Sequence, residues 1–193
     1  QSIEVIRGQS LEQALTVSQN VDKEQYYASI KGKTSALFAI PVEGAGLIAG
    51  IDEVARRQLR MIFGEVGVMF QIQDDIVDLY GEKGRAFAGM DIREGKISAL
   101  VVEHCVACPE DKAKLLDILG RERDSIEVSE VTWWINRFRE RGSLGKLCEG
   151  LLKMKESVLQ KVDASRDLQG IMEITTTLID LSLRPIGSVL EDI

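Results

Sequence analysis

The sequence predicts an all-α fold. Only three prolines interrupt 193 residues rich in Leu, Ile, Glu and Lys, a balance that favours helix over sheet. The longest apolar-periodic stretch, Asp52 to Leu79, spaces Phe63, Val66, Phe70, Ile76 and Val77 as a packed helix would. Beyond Pro109 the apolar runs stop at Gly120 and Gly142 and before Pro185, the punctuation of helix ends. The length fits one domain with a substantial core. Neither an internal repeat nor a second-domain boundary is visible, so residues 1–193 are expected to form one unit.

Taken in order, Gln1 to about Asn20 carries Ile3, Val5, Ile6, Leu11, Ala14 and Leu15 at helical spacing. Asp22 and Glu24 mark the next helix start, which runs through Tyr26, Tyr27, Ile30, Leu37, Phe38 and Ile40. Pro41 is expected to kink or end it, because its ring clashes with the preceding turn. Gly44, Gly46 and Gly50, with Ala45 and Ala49, permit close helix approach. The long helix over 52–79 follows, then a loop from Gly81 to Gly89. A further helix is expected near Asp91, capped by Asp91 with Glu94 completing a capping box. Four more helices read as Pro109 to Leu119, Ser129 to Arg141, Leu144 to Val162 and Asp167 to Leu183. The alternating Lys and Glu of Lys153 to Lys161 suit a solvated face.

The chemistry concentrates in Phe70-Gln71-Ile72-Gln73-Asp74-Asp75-Ile76-Val77-Asp78. On a helix, Asp74 and Asp78 are four apart, Asp75 and Asp78 three apart, and Gln71 lies one turn before Asp75. Three carboxylates then share one flank, at a cost of roughly 0.2–0.5 kcal/mol per like-charge pair. A solvated acidic face would tolerate that. A bound hard cation would explain it, with Mg2+ favoured by oxygen-only ligands that bridge to phosphates. Lys33 and Thr34 could supply an ammonium and a hydroxyl to an anionic ligand, although a surface lysine is the ordinary state.

Other chemistries fit poorly. A net charge of −7 argues against a nucleic-acid surface. No apolar run reaches the ~18 residues of a membrane span and no signal peptide is visible, so a cytoplasmic protein is expected. Cys105-Val106-Ala107-Cys108 and His104 lack the further ligands of a zinc site, Cys148 being the one remaining cysteine. With His104 the sole histidine, a Ser-His or Cys-His nucleophile is not expected. Trp133 and Trp134 could wall a site for an apolar ligand, but core or lid packing is the better expectation.

The string FQIQDDIVD followed by GMDIREGKISAL resembles the second aspartate-rich region of the trans-isoprenyl diphosphate synthases. Two further strings agree. Gly8-Gln9-Ser10-Leu11-Glu12 is similar to the family's G-Q-x-L-D, with Glu12 where Asp is usual, and Tyr27 to Phe38 is similar to its Y-x-x-I-x-x-K-T-x-x-L-F helix. The resemblance implies an isoprenoid-synthase-type antiparallel helical bundle. The first aspartate-rich motif, and the stretch before it that sets product length, have no counterpart in this sequence.

What the resemblance implies about activity is specific. Isopentenyl diphosphate would condense head to tail with an allylic prenyl diphosphate in a Mg2+-dependent ionisation, condensation and proton loss, within a homodimer. Asp74, Asp75 and Asp78 would hold metal. Lys33, Thr34 and Gln71 would meet the allylic diphosphate, and Lys96 would add positive charge from the D-x-x-x-G-K segment. A loop base is also expected; Lys83 and Arg85 both fit, and Arg85 is preferred. A non-catalytic or regulatory subunit of a heteromeric synthase is the alternative, and a terpene cyclase suits the pattern from Asp91 to Ser98 less well.

Overall fold

In a computed structural model, residues 2–81 and 88–191 are described. Eleven α-helices, short 3-10 turns and one π turn make up the elements, and no strand occurs among the described residues. Helix α1 spans Ser2–Ser18 and α2 Lys23–Ile30, the latter capped by Asp22, whose carboxylate accepts from Gln25 N. A π turn over Lys31–Ser35 leads into α3, Ala36–Ile48. Helix α4, Glu53–Tyr80, is ~42 Å long at 1.5 Å per residue. Asp52 caps it, accepting from Val54 N and Ala55 N. Helix α5 is a single turn, Met90–Arg93, and α6 is Ala99–Ala107. Helices α7 (Lys112–Leu119), α8 (Val128–Glu140), α9 (Ser143–Ala164), α10 (Met172–Leu183) and α11 (Gly187–Glu191) complete the bundle.

Helix α4 is the axis. Its Val66, Met69, Ile72, Ile76 and Val77 are buried, and it packs against α3, α6, α9 and α10. An amphipathic surface helix would show one apolar stripe; α4 is apolar on most sides because neighbours cover it. The short link 49–52 makes α3 and α4 antiparallel neighbours.

Two sequence expectations are corrected here. Pro41 does not end its helix, since α3 continues to Ile48. Burial of Ala36, Ala39 and Gly46 along the α3 contact with α4 offsets the single backbone bond that proline removes. Asp91 does not cap a helix either. It lies inside α5, which follows Gly89 in the left-handed region (φ 78°), and Ser98 caps α6 by accepting from Val101 N. A glutamate closing a helix start occurs instead in α8, where Glu127 N donates to Glu130 Oε2 at 3.1 Å.

The π turn has a packing cause. A Cβ on Gly8 would lie 2.4 Å from Lys33 N and 2.6 Å from the Gly32 carbonyl carbon, so α1 crosses the turn backbone to backbone. From the other side, a Cβ on Gly67 of α4 would lie 2.8 Å from Ser35 Cα, and the Ser35 hydroxyl donates to Gly64 O. A widened helical turn between two close glycine contacts is typical of functional positions. It presents Lys33 and Thr34.

Candidate active site

Donors from α2, α4, the α5–α6 link and α6 converge on Asp75, which is 1% exposed. Its Oδ2 accepts from the Tyr26 hydroxyl at 2.8 Å and from Ala99 N, at the start of α6, at 2.7 Å. Its Oδ1 accepts from Gln71 Nε2 and from Lys96 Nζ, both at 3.0 Å. An ionised carboxylate only accepts, so these four donors satisfy it and fix the Gln71 amide with nitrogen toward Asp75. Gln71 Oε1 therefore faces Thr34, whose hydroxyl must donate to it at 2.7 Å. Thr34 thus spends its one proton on Gln71.

The flanking carboxylates differ. Asp78 Oδ2 accepts from Asp91 N at 2.9 Å, which ties the end of α4 to α5. Asp74 is half-buried and lines a cavity of about 660 Å3 with Phe70, Gln73, Val77, Tyr80, Arg184, Pro185 and Ser188. The spacing led to the expectation of three carboxylates on one flank; in the structure Asp75 turns into the core while Asp74 lines the cavity. Lys83 and Arg85 lie outside the described residues.

Two lysines have carboxylate partners. Lys96 Nζ bridges Asp75 and Asp91, the latter at 2.8 Å. Its ammonium pKa is pushed up because attraction to the two carboxylates overcomes burial. Asp91 is pushed up to about 6, chiefly by burial, with Lys96 opposing and the charge of Asp75 adding to the rise. Lys33 Nζ pairs with Glu12 Oε2 at 2.6 Å, and Gln9 Nε2 donates to the same oxygen at 3.1 Å. Glu12, in the position where the family usually has Asp, reaches the lysine directly.

Sequence reasoning missed three residues. Tyr26 and Asp91 belong to the Asp75 network, and Gln73 lines the Asp74 cavity. Asp91 sits five residues before Lys96, a spacing that could have paired them.

The remaining sequence candidates fall elsewhere. Ser143 Oγ lies 2.8 Å from His104 Nδ1, and His104 Nε2 lies 3.1 Å from Asp111 Oδ2. Serine and histidine are fully buried, and Arg137 holds Asp111 with two bonds of 2.8 and 3.1 Å. This is a core network without access for a substrate. Cys108 comes close enough to complete a three-donor cluster with His104 and Asp111. The Arg137 guanidinium already neutralises that carboxylate, so the donors do not suit a cation. Trp134 is core, edge-on to His104 at 5.8 Å, whereas Trp133 is partly exposed beneath the Lys114 ammonium, 3.5 Å from its ring centre.

Comparison with known proteins agrees with this geometry. Residues 1–135 match the sequence model of the family described as polyprenyl synthetase. The chain is 35% identical over 123 residues to a short chain isoprenyl diphosphate synthase of Methanocaldococcus jannaschii, covering 62% of this chain and 37% of the relative. It is 36% identical over 134 residues to a bovine (Bos taurus) farnesyl pyrophosphate synthase, covering 64% and 37%. Its fold is similar to that of a polyprenyl synthetase from Streptomyces coelicolor, with a TM-score of 0.83 at 21% identity over 94% of this chain and 56% of that one. The chain therefore spans well under two thirds of these proteins. With its helices arranged as in that bundle and its family profile running from the first residue into α8, the chain belongs to the polyprenyl synthetase family.

Proposed function

We propose that the protein is a transferase that condenses isopentenyl diphosphate with an allylic prenyl diphosphate, and that this chain carries the second of its two aspartate-rich motifs. The observation that supports this reading is the placement of Asp74 on an open cavity beside a buried, fully bonded Asp75. A rigid anchor next to an accessible carboxylate is what orienting a diphosphate requires.

Asp74 and Asp78 are the residues that would hold Mg2+, their hard oxygens suiting that ion. Asp75 would have to give up one of its four bonds to join them, so we assign it to positioning. When bound, Mg2+ supplies positive charge that draws electrons toward the diphosphate leaving group. The chain's own residues do the rest. Asp75 holds Gln71 and Lys96, Gln71 holds Thr34, and Glu12 holds Lys33, so the residues facing the diphosphate are fixed before it arrives. Thr34 would contact phosphate as an acceptor of a phosphate proton, or by releasing Gln71. Phe70, which stacks on Phe38 at 5.2 Å, offers an apolar wall for the prenyl tail. The allylic C–O bond breaks with its electron pair leaving on the diphosphate, the alkene of isopentenyl diphosphate forms the new C–C bond to the allylic cation, and the resulting cation gives up a proton to the released diphosphate.

A cytoplasmic homodimer is part of the same reading. Ile3 and Ile6 of α1, with Leu47 and Ile48 of α3, are exposed apolar residues available to partner helices. No helix among the described residues is long and apolar enough to cross a membrane.

The test is a Mg2+-dependent assay with labelled isopentenyl diphosphate and each of dimethylallyl, geranyl and farnesyl diphosphate. Product length is read by chromatography. Product abolished by Asp74→Asn in a folded sample supports the reading; full turnover in that variant overturns it.

A further inference from the structure

The Asp74 cavity has a second wall with unused donors. Gln73 lines it and is 4% exposed, yet its side-chain amide makes no hydrogen bond with the described residues. On the same cavity, Arg184 opens the 3-10 turn Arg184–Ile186, which packs against α4. Its guanidinium makes no ion pair or hydrogen bond with the described residues. The two lysines the family pattern assigns to phosphate are both neutralised, Lys33 by Glu12 and Lys96 by Asp75 and Asp91. Ser188 adds a hydroxyl to the same wall.

We propose that Gln73 and Arg184 form a diphosphate cradle in the cavity that Asp74 lines. This rests on the reading that prenyl diphosphates bind there. Arginine offers a planar fork of N–H donors that matches two phosphate oxygens, and a primary amide supplies two more donors. Together they bring N–H donors to the cavity lined by the carboxylate that would hold the metal. Neither residue belongs to the strings that carry the Lys33, Thr34 and Lys96 assignments.

The experiment titrates the 193-residue chain with Mg-pyrophosphate by calorimetry, using the parent, Arg184→Gln, Arg184→Lys, Gln73→Leu and Asp74→Asn. Far-UV circular dichroism verifies that each variant folds, and Arg184 is exposed, so its replacement leaves packing intact. Arg184→Gln and Gln73→Leu are each expected to weaken binding roughly tenfold, with Arg184→Lys recovering part of the loss. Parent-like affinity in both, with binding lost in Asp74→Asn, overturns the cradle and leaves the proposed function standing. Weakening in both with Asp74→Asn unaffected supports the cradle as an anion site and removes the metal role of Asp74. No binding to the parent at millimolar pyrophosphate overturns both. Repeating the titration with isopentenyl and geranyl diphosphate shows which substrate the cradle holds, as the one whose affinity falls in Arg184→Gln.

Discussion

The Tyr26 hydroxyl donates to Asp75 Oδ2 at 2.8 Å, joining α2 to α4 across 49 residues of chain. Both groups are buried, so this bond is made in a medium where an unmet partner is expensive. Tyr26→Phe keeps the ring and removes only the donor. It is expected to cost about 1–3 kcal/mol, measured by urea unfolding. The same burial, reinforced by the Asp75 charge, raises the Tyr26 phenol well above its ordinary pKa. The folded state therefore keeps a proton that the unfolded state loses. The Tyr26 contribution is complete below about pH 10 and declines as pH rises beyond it; in Tyr26→Phe this part of the alkaline loss should vanish.

Asp75 itself is the larger test of the anchor. Asp75→Ala leaves the Lys96 ammonium, the Gln71 amide, the Tyr26 hydroxyl and Ala99 N without their shared acceptor. Breaking a buried charge network by removing one member costs about 3–5 kcal/mol. At about 2–4 °C per kcal/mol for a chain of this size, the melting temperature should fall by roughly 6–20 °C. Asp74→Asn should leave it nearly unchanged. Equal losses for the two aspartates would refute the division of labour between anchor and metal ligand.

Two glycines give opposite expectations. A Cβ on Gly8 would meet backbone atoms of Lys33, Gly32 and Ser29 within 2.8 Å, which no rotamer change can relieve. Gly8→Ala should destabilise by about 1–3 kcal/mol and lower affinity for Mg-pyrophosphate by moving Lys33 and Thr34. Gly150, inside α9, has nothing within 4 Å of its Cβ position. Gly150→Ala should stabilise by about 0.5–1 kcal/mol without touching binding. Thermal melts of the two variants against the parent settle both signs.

How much of this was legible in the sequence depends on how local the cause is. The 3.6-residue period located α1, α4 and the helices from α7 to α10, because burial of a helix face leaves its mark on consecutive residues. The D-D-x-x-D run pointed to the candidate site, but its spacing cannot distinguish an anchored carboxylate from an accessible one. That difference between Asp75 and Asp74 comes from Tyr26, Lys96 and Ala99, residues on other elements. The π turn was hidden for the same reason: its origin is the contact of Gly8 with Gly32 and of Gly67 with Ser35. Asp91 looked like a cap because an acidic residue before a helical stretch often is one, whereas Ser98, three residues before Val101, is the residue that caps.

Asp91 is also where pH should register. Its carboxyl is pushed up to about 6 from an ordinary 3.8, because burial outweighs the help of Lys96 and the Asp75 charge adds to the rise. A raised carboxyl pKa means that the folded state holds the proton more tightly than the unfolded state. The associated stability is present in full below pH 3.8 and is lost as pH rises through about 6. Asp91→Asn fixes the neutral form. Its melting temperature should match the parent near about pH 4 and exceed it near about pH 7.5, by the equivalent of a contribution on the order of 2 kcal/mol. The difference between the two melting curves, followed across this range, should rise from about pH 4 and level off just above about pH 6. That subtraction cancels carboxylates common to both proteins. A variant less stable than the parent at neutral pH would show instead that the Lys96 pair more than repays the burial of Asp91.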